Sequence, residues 1–343
     1  MNNYFKMLLF ISIALSFTNS LHACATVSAK VPVEIADESA IIIWDEENKI
    51  QHFIRRASFQ TEAEHFGFLV PTPTQPTLEK ASDIAFSILG ELTAATLIER
   101  QRSFGISWSR LSMVQVKSKS ARSVRVLEKK RVSIYEVAVL EADSATALKN
   151  WLQQHEYQFP KNLKQWIQPY IDKGWKISAF KIAKDVDKKQ IATSAVRMSF
   201  ATERPFFPYR EPQHANNEKT TKRLLRVYFL SNNYMQGTLG EEGKWPGKEV
   251  WAGPISTGHR NVILESTTLS MDTKPHDWQL TEFEDYSSYR PSGADVYFSN
   301  SSNQKQIRRP PQIVYVYNRG DILFNTIVYT VIIIFFLRYK RKR

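Results

Sequence analysis

The sequence predicts an α+β fold: a largely antiparallel sheet, a few packed helices and one C-terminal transmembrane helix. Three observations predict it. Apolar, β-branched runs separated by polar turns recur along the chain, as antiparallel strands do. Two segments near the middle carry apolar residues at helical spacing. An apolar stretch from Ile322 to Leu337, followed by a basic tail, ends the chain.

The N-terminus reads as a secretory signal peptide, residues 1–25. Lys6 precedes an apolar run from Met7 to Phe17, and the small residues Ala23 and Ala25 flank Cys24. Cutting after Ala25 fits an A-x-A site. Cutting after Ala23 would leave Cys24 first, in a degenerate lipobox. The run is too short to span a bilayer, which takes roughly 20 residues.

Strands follow. Ala40 to Trp44 and Lys49 to Phe59 flank the polar turn Asp45–Asn48 and predict a hairpin. Phe66 to Val70 is a further strand, stopped by Pro71, Pro73 and Pro76. Ser82 or Asp83 caps a helix in which Ala85, Ile88, Leu89 and Leu92 share a face. Alternation from Met113 to Val126 predicts a hairpin with a cationic outer face, and Ser133 to Leu140 a central strand.

Asp143 is the predicted N-cap of a helix carrying Leu148, Trp151, Leu152 and His155 on one face. Leu163, Trp166, Ile167, Tyr170 and Ile171 repeat that spacing, with Pro169 expected to kink or split the helix and Gly174 to end it. Strands are predicted at Trp175–Ala183, Val196–Phe200 and Leu224–Leu230, with an extended connector at Arg204–Pro212. Asn261 to Leu269 reads as a strand, and about 271–311 as a polar, poorly ordered stretch. The expected organisation is 26–212 as an α+β domain, 213–320 as a β- and loop-rich extension, 321–337 as the span and 338–343 as a basic cytoplasmic tail.

Composition narrows the function. The formal net charge is +12, but Lys6 and five cations after Leu337 account for half of it. The remainder is modest, and nucleic acid is rare outside the membrane, so it is not an expected partner. Cys24 is the single cysteine, which excludes an intrachain disulfide. None of the seven histidines forms an HExxH or another short ligand pair, so no metal site and no cofactor are predicted. No GxSxG or phosphate-binding glycine pattern is present. Trp151 and Trp166 could stack on a sugar, but beside Leu and Ile at helical spacing they are read as core. Lys117, Lys119, Arg122 and Arg125 could contact an anionic envelope lipid or polymer, or simply guard a sheet edge.

One resemblance adds to this. The segments Ile54–Phe59, Phe66–Pro73, Trp151–Tyr157, Gly174-Trp175 and Thr202–Arg210, together with Tyr170, resemble a bacterial family known as domain of unknown function 2330. The resemblance covers about residues 24–212. It implies an exported bacterial protein, often ending in a membrane helix. Family members commonly carry more cysteines near the mature start, and this chain has only Cys24. The family supplies no activity and no catalytic residues. The sequence therefore predicts a non-catalytic, membrane-tethered envelope protein with its main domain outside the cytoplasm. The alternative is an envelope hydrolase or transferase whose site is assembled from dispersed residues.

Overall fold

The structure, a computed structural model, describes residues 34–60, 67–102, 135–155, 157, 162–182, 194–211, 224–270, 278–287, 290, 293–317 and 319–341. The signal peptide, Cys24, and the basic hairpin with Lys117, Lys119, Arg122 and Arg125 lie outside the described residues.

The first elements are β1 (Glu34–Asp45), β2 (Ile50–Gln60), β3 (Gly67–Thr72), β4 (Thr77–Ser82), α1 (Ile84–Leu92), β5 (Leu97–Arg102) and β6 (Tyr135–Leu140). Next come α2 (Ala145–Gln154), α3 (Leu163–Ile171), β7 (Lys176–Ile182), β8 (Ser194–Ala201), β9 (Phe206–Phe207), β10 (Leu224–Ser231) and β11 (Met235–Leu239). The chain continues through β12 (Gly243–Lys244), β13 (Lys248–Pro254), α4 (Thr257–Ser266), β14 (Gln279–Asp285), β15 (Val296–Asn300), β16 (Gln312–Tyr317) and α5 (Arg319–Arg341). The class is α+β with mostly antiparallel sheets.

Two compact units divide the chain. The larger takes Met1–Thr93 and Val132–Arg308. Its main sheet runs β13-β14-β10-β1-β2-β8-β4, so strands from both sides of residue 212 build one sheet. The β1–β2 hairpin is antiparallel, with Ile41 opposite Ile54, whereas β1 and β10 are parallel. Isoleucines 41, 42 and 43 are all buried because both faces of the sheet are covered. Ile42, Phe53, Val227 and Phe229 enter one core with Phe206, Phe207 and Phe298. Ile41, Ile43 and Ile54 enter another with Phe86 and Leu89 of α1 and Ile263 and Leu264 of α4.

Within the same unit, β3, β7 and β6 form a three-stranded antiparallel sheet. Leu148 and Leu152 of α2, and Trp166, Ile167 and Tyr170 of α3, pack on Ile177 and Ala179 of β7. The smaller unit takes Ala94–Arg131 and Arg309–Arg343. In it β5 and β16 pair in parallel, with Arg102 opposite Tyr317, immediately before α5 begins.

Several expectations are corrected. Among the described residues no helix is long and apolar enough to cross a membrane, so the predicted transmembrane helix is not supported. The segment is helical, but α5 includes Arg319 and Asp321 at one end and Arg338, Lys340 and Arg341 at the other. Its charge-free stretch, Ile322 to Leu337, covers about 24 Å against the ~30 Å of a hydrocarbon core.

Asn261–Leu269 is not a strand. Ser256 accepts a hydrogen bond from the His259 amide, caps α4 and starts a helix that runs to Ser266. Burial of Ile263 and Leu264 outweighs the weak helix propensity of their β-branched neighbourhood.

The stretch read as poorly ordered holds β14 and β15, both part of the core-forming sheets. β14 looks polar because Glu282, Glu284 and Asp285 are acids, yet all three are buried. Arg226 on β10 lies 2.9 Å from Glu282 and 2.8 Å from Glu284. β6 is an edge strand in the β3-β7-β6 order and not a central one. Ser144, not Asp143, caps α2 by accepting from the Ala147 amide. Pro169 sits inside an unbroken α3. The expected stop holds at Gly174, which takes φ +70°.

Candidate functional site

The side of α2 that does not enter the core builds a cavity with the β6–β7 edge. Leu148 and Leu152 point into the core, and Trp151, one position earlier, stays half-buried. Its ring stacks on His155, 3.9 Å between centres and 19° between planes. His155 sits one turn later on the helix and Nδ1 lies 2.7 Å from the Trp151 carbonyl. A carbonyl only accepts, so Nδ1 donates this bond.

Tyr157 adds a second aromatic wall, its ring 6.1 Å from that of Trp151. Its hydroxyl donates to the Ala179 carbonyl at 3.3 Å. Burial, and then the nearby Glu136 carboxylate, push that hydroxyl up to about 12, so it keeps its proton at neutral pH. The Lys181 ammonium lies 5.8 Å from the centre of the Tyr157 ring and donates to the His155 carbonyl at 3.2 Å. Glu136 on β6 is the cross-strand partner of Lys181 on β7. Gln154, at the end of α2, completes the rim.

The cavity measures about 430 Å³ and is lined by Glu136, Val137, Ala138, Trp151, Gln154, His155, Tyr157 and Lys181. That is within the ~300–1,000 Å³ of small-ligand sites. The set mixes aromatic walls with one acid, one ammonium, one amide and one imidazole. It holds no serine or cysteine and a single carboxylate, whereas glycoside hydrolysis ordinarily uses two. The arrangement can hold a ligand between aromatic walls and a few polar groups.

Two Ser–His pairs lie elsewhere. His52 Nδ1 is 2.8 Å from Ser199 Oγ across the β2–β8 pairing, and Arg197 also donates to that hydroxyl at 2.6 Å. Burial and the Arg197 charge lower His52 from 6.5 to about 4. A ring that basic only below pH 5 is a poor general base at neutral pH. Ser256 Oγ and His259 Nδ1 are 2.8 Å apart, but this serine is the N-cap of α4 and both groups are exposed on one turn. Among the described residues, neither His has a carboxylate hydrogen-bonded to its second nitrogen. Among the described residues, no group of three or more His, Cys, Asp or Glu could hold a metal ion.

A bacterial family described as an uncharacterized protein conserved in bacteria, DUF2330, matches residues 19–252. The chain belongs to this family. The cavity lies wholly inside the matched span, and β14, β15, β16 and α5 lie beyond it. No curated protein matches the chain. Among solved structures it is similar to the crystal structure of baculovirus P35, at 7% identity and a TM-score of 0.36, covering 84% of this chain and 100% of that one. The crystal structure of the caspase-8/P35 complex gives 6% identity and a TM-score of 0.33, covering 82% and 98%. Neither likeness is close enough to carry an argument.

The residues singled out from the sequence divide accordingly. Trp166 is core, as expected, and its indole N–H donates to the Arg210 carbonyl at 2.9 Å. Trp151 was expected in the core and instead lines the cavity. Glu136 and Lys181 carried no signal of their own, because a strand's sequence does not reveal which residue lies across it, and Tyr157 stood out only as part of the segment that carries the resemblance. The periodicity of α2 did place His155 beside Trp151, which was the one legible part of the site.

Proposed function

We propose that this DUF2330 protein is a non-catalytic, membrane-tethered binding protein of the bacterial envelope, with its main domain outside the cytoplasm and its ligand site in the Trp151 cavity. The single observation that carries the binding reading is that cavity: half-buried aromatic rings beside converging polar groups, with a single carboxylate and no serine or cysteine among its lining residues. The rival, an envelope hydrolase or transferase, would draw on His52–Ser199 or Ser256–His259, and the chemistry of both pairs argues against it.

The tether rests on α5. Val331, Ile332, Ile333, Ile334, Phe335 and Leu337 are all exposed, so the helix is apolar around its whole circumference in this stretch. A helix apolar on every side favours lipid over water. Snorkelling of Arg338 and an interfacial Tyr339 would compensate for the short charge-free run. Lys117, Lys119, Arg122 and Arg125 are proposed to add contacts with an anionic envelope lipid or polymer. Each cation near such a surface contributes on the order of 1 kcal/mol.

The test is fractionation together with an export reporter. The full chain is expected to sediment with membranes, and a chain ending at Tyr317 to be released. Alkaline phosphatase fused after Gly320 is expected to be active. A full chain found in the soluble fraction, or an inactive fusion, would contradict the tether or the export.

A further inference from the structure

Building on the reading of the Trp151 cavity as a ligand site, we infer that its ligand is an uncharged saccharide. The first argument is the platform. The Trp151 ring is half-buried and held by its stack on His155, itself fixed by the bond to the Trp151 carbonyl. A rigid indole offers a broad apolar surface without losing much side-chain freedom on binding. The carbon face of a pyranose ring carries outward C–H bonds that suit the negative face of an aromatic ring.

The second argument is the polar set. Hydroxyl groups both donate and accept, and the rim offers both kinds of partner. Glu136 accepts, Lys181 donates, and Gln154 does either. The third is charge. Among the described lining residues, Glu136 and Lys181 stand opposite each other across β6 and β7, one charge of each sign. A polyanion would meet Glu136 and a polycation would meet Lys181. A neutral polyol meets neither penalty.

An extended peptide added to the β6 edge is the competing ligand. Val137 packs toward the aromatic core, so it offers the cavity its main chain. Only residues 136–138 of β6 border the cavity, however. The two or three main-chain groups there serve a saccharide equally well.

The experiment is titration calorimetry on the full chain in a detergent without a sugar headgroup. The probes are chitotetraose, maltotetraose and cellotetraose, a polygalacturonate oligomer, and a capped pentapeptide of alternating valine and tryptophan. At least one neutral tetrasaccharide is expected to bind saturably, with little change on raising salt. Trp151→Ala is expected to weaken it by roughly tenfold or more, in line with the aromatic contribution to stacking. Gln154→Ala, an exposed position that leaves the fold intact, should weaken it by a smaller factor. Peptide or polygalacturonate binding that Trp151→Ala abolishes, with no neutral sugar bound, would overturn the saccharide class and leave the cavity as a ligand site. Binding that neither variant alters would overturn both. So would the absence of binding by any probe.

Discussion

Two tryptophans with the same helical signature have different fates, and a single position on the helical wheel separates them. Trp166 lies on the α3 face that meets β7, and its N–H reaches the Arg210 carbonyl. Trp151 sits between the two buried leucine positions of α2 and so falls at the rim. Trp166→Ala is expected to cost about 3–5 kcal/mol, the usual loss for a buried large aromatic. Trp151→Ala should cost less than Trp166→Ala, because part of its surface already meets solvent. Urea unfolding curves of the two variants check this, and equal midpoints would contradict the assignment. His52 gives a second residue-scale prediction. Its ring titrates near 4 when folded and 6.5 when unfolded, so the unfolded chain binds the proton first. Its contribution is fully present above about pH 6.5 and is lost as pH falls toward 4. The loss should reach about 2 kcal/mol by pH 5. His52→Gln is expected to flatten that slope between pH 7.5 and 5 in chemical denaturation, and an unchanged slope would remove the account.

At the scale of elements, the strands with apolar, β-branched composition were legible, and those rich in charge were not. The β1–β2 hairpin, β7, β8 and β10 follow directly from their runs and turns. β14 was missed because its pattern, Glu282 to Asp285, has a buried counter-charge on β10 that only the sheet register reveals. α4 was missed because the capping role of Ser256 competes with a β-branched run whose helix propensity is low. The connector read as extended over Arg204–Pro212 contains the short strand β9, but the acid that fixes it was not read. Asp295 Oδ1 accepts from the Tyr170 hydroxyl at 2.7 Å and from the Tyr209 and Arg210 amides at 3.1 and 3.3 Å. One carboxylate thereby joins α3, the connector and the start of β15. Asp295→Ala should destabilise the protein by about 3–5 kcal/mol, since it strips partners from a buried charged cluster. Tyr170→Phe should cost about 1–2 kcal/mol. Thermal and urea unfolding of both variants tests the ranking, and a neutral Asp295→Ala would contradict it.

For the whole molecule, the sequence carried the class, the family and the candidate tether, whereas the cavity became visible only once α2 was packed against β6 and β7. Glu136 and Lys181 are separated by most of two helices in the chain and become neighbours only through strand register. The proposed topology places the Trp151 cavity outside the cytoplasm, where it meets ligands of the envelope. Cys24 is the single cysteine, so Cys24→Ser followed by Gln154→Cys places one thiol at the cavity rim. The most direct measurement is labelling of that thiol in intact spheroplasts by a membrane-impermeant maleimide. The account predicts labelling without lysis, to the same extent as in detergent. Labelling that requires lysis would place the cavity on the other side of the membrane and contradict it.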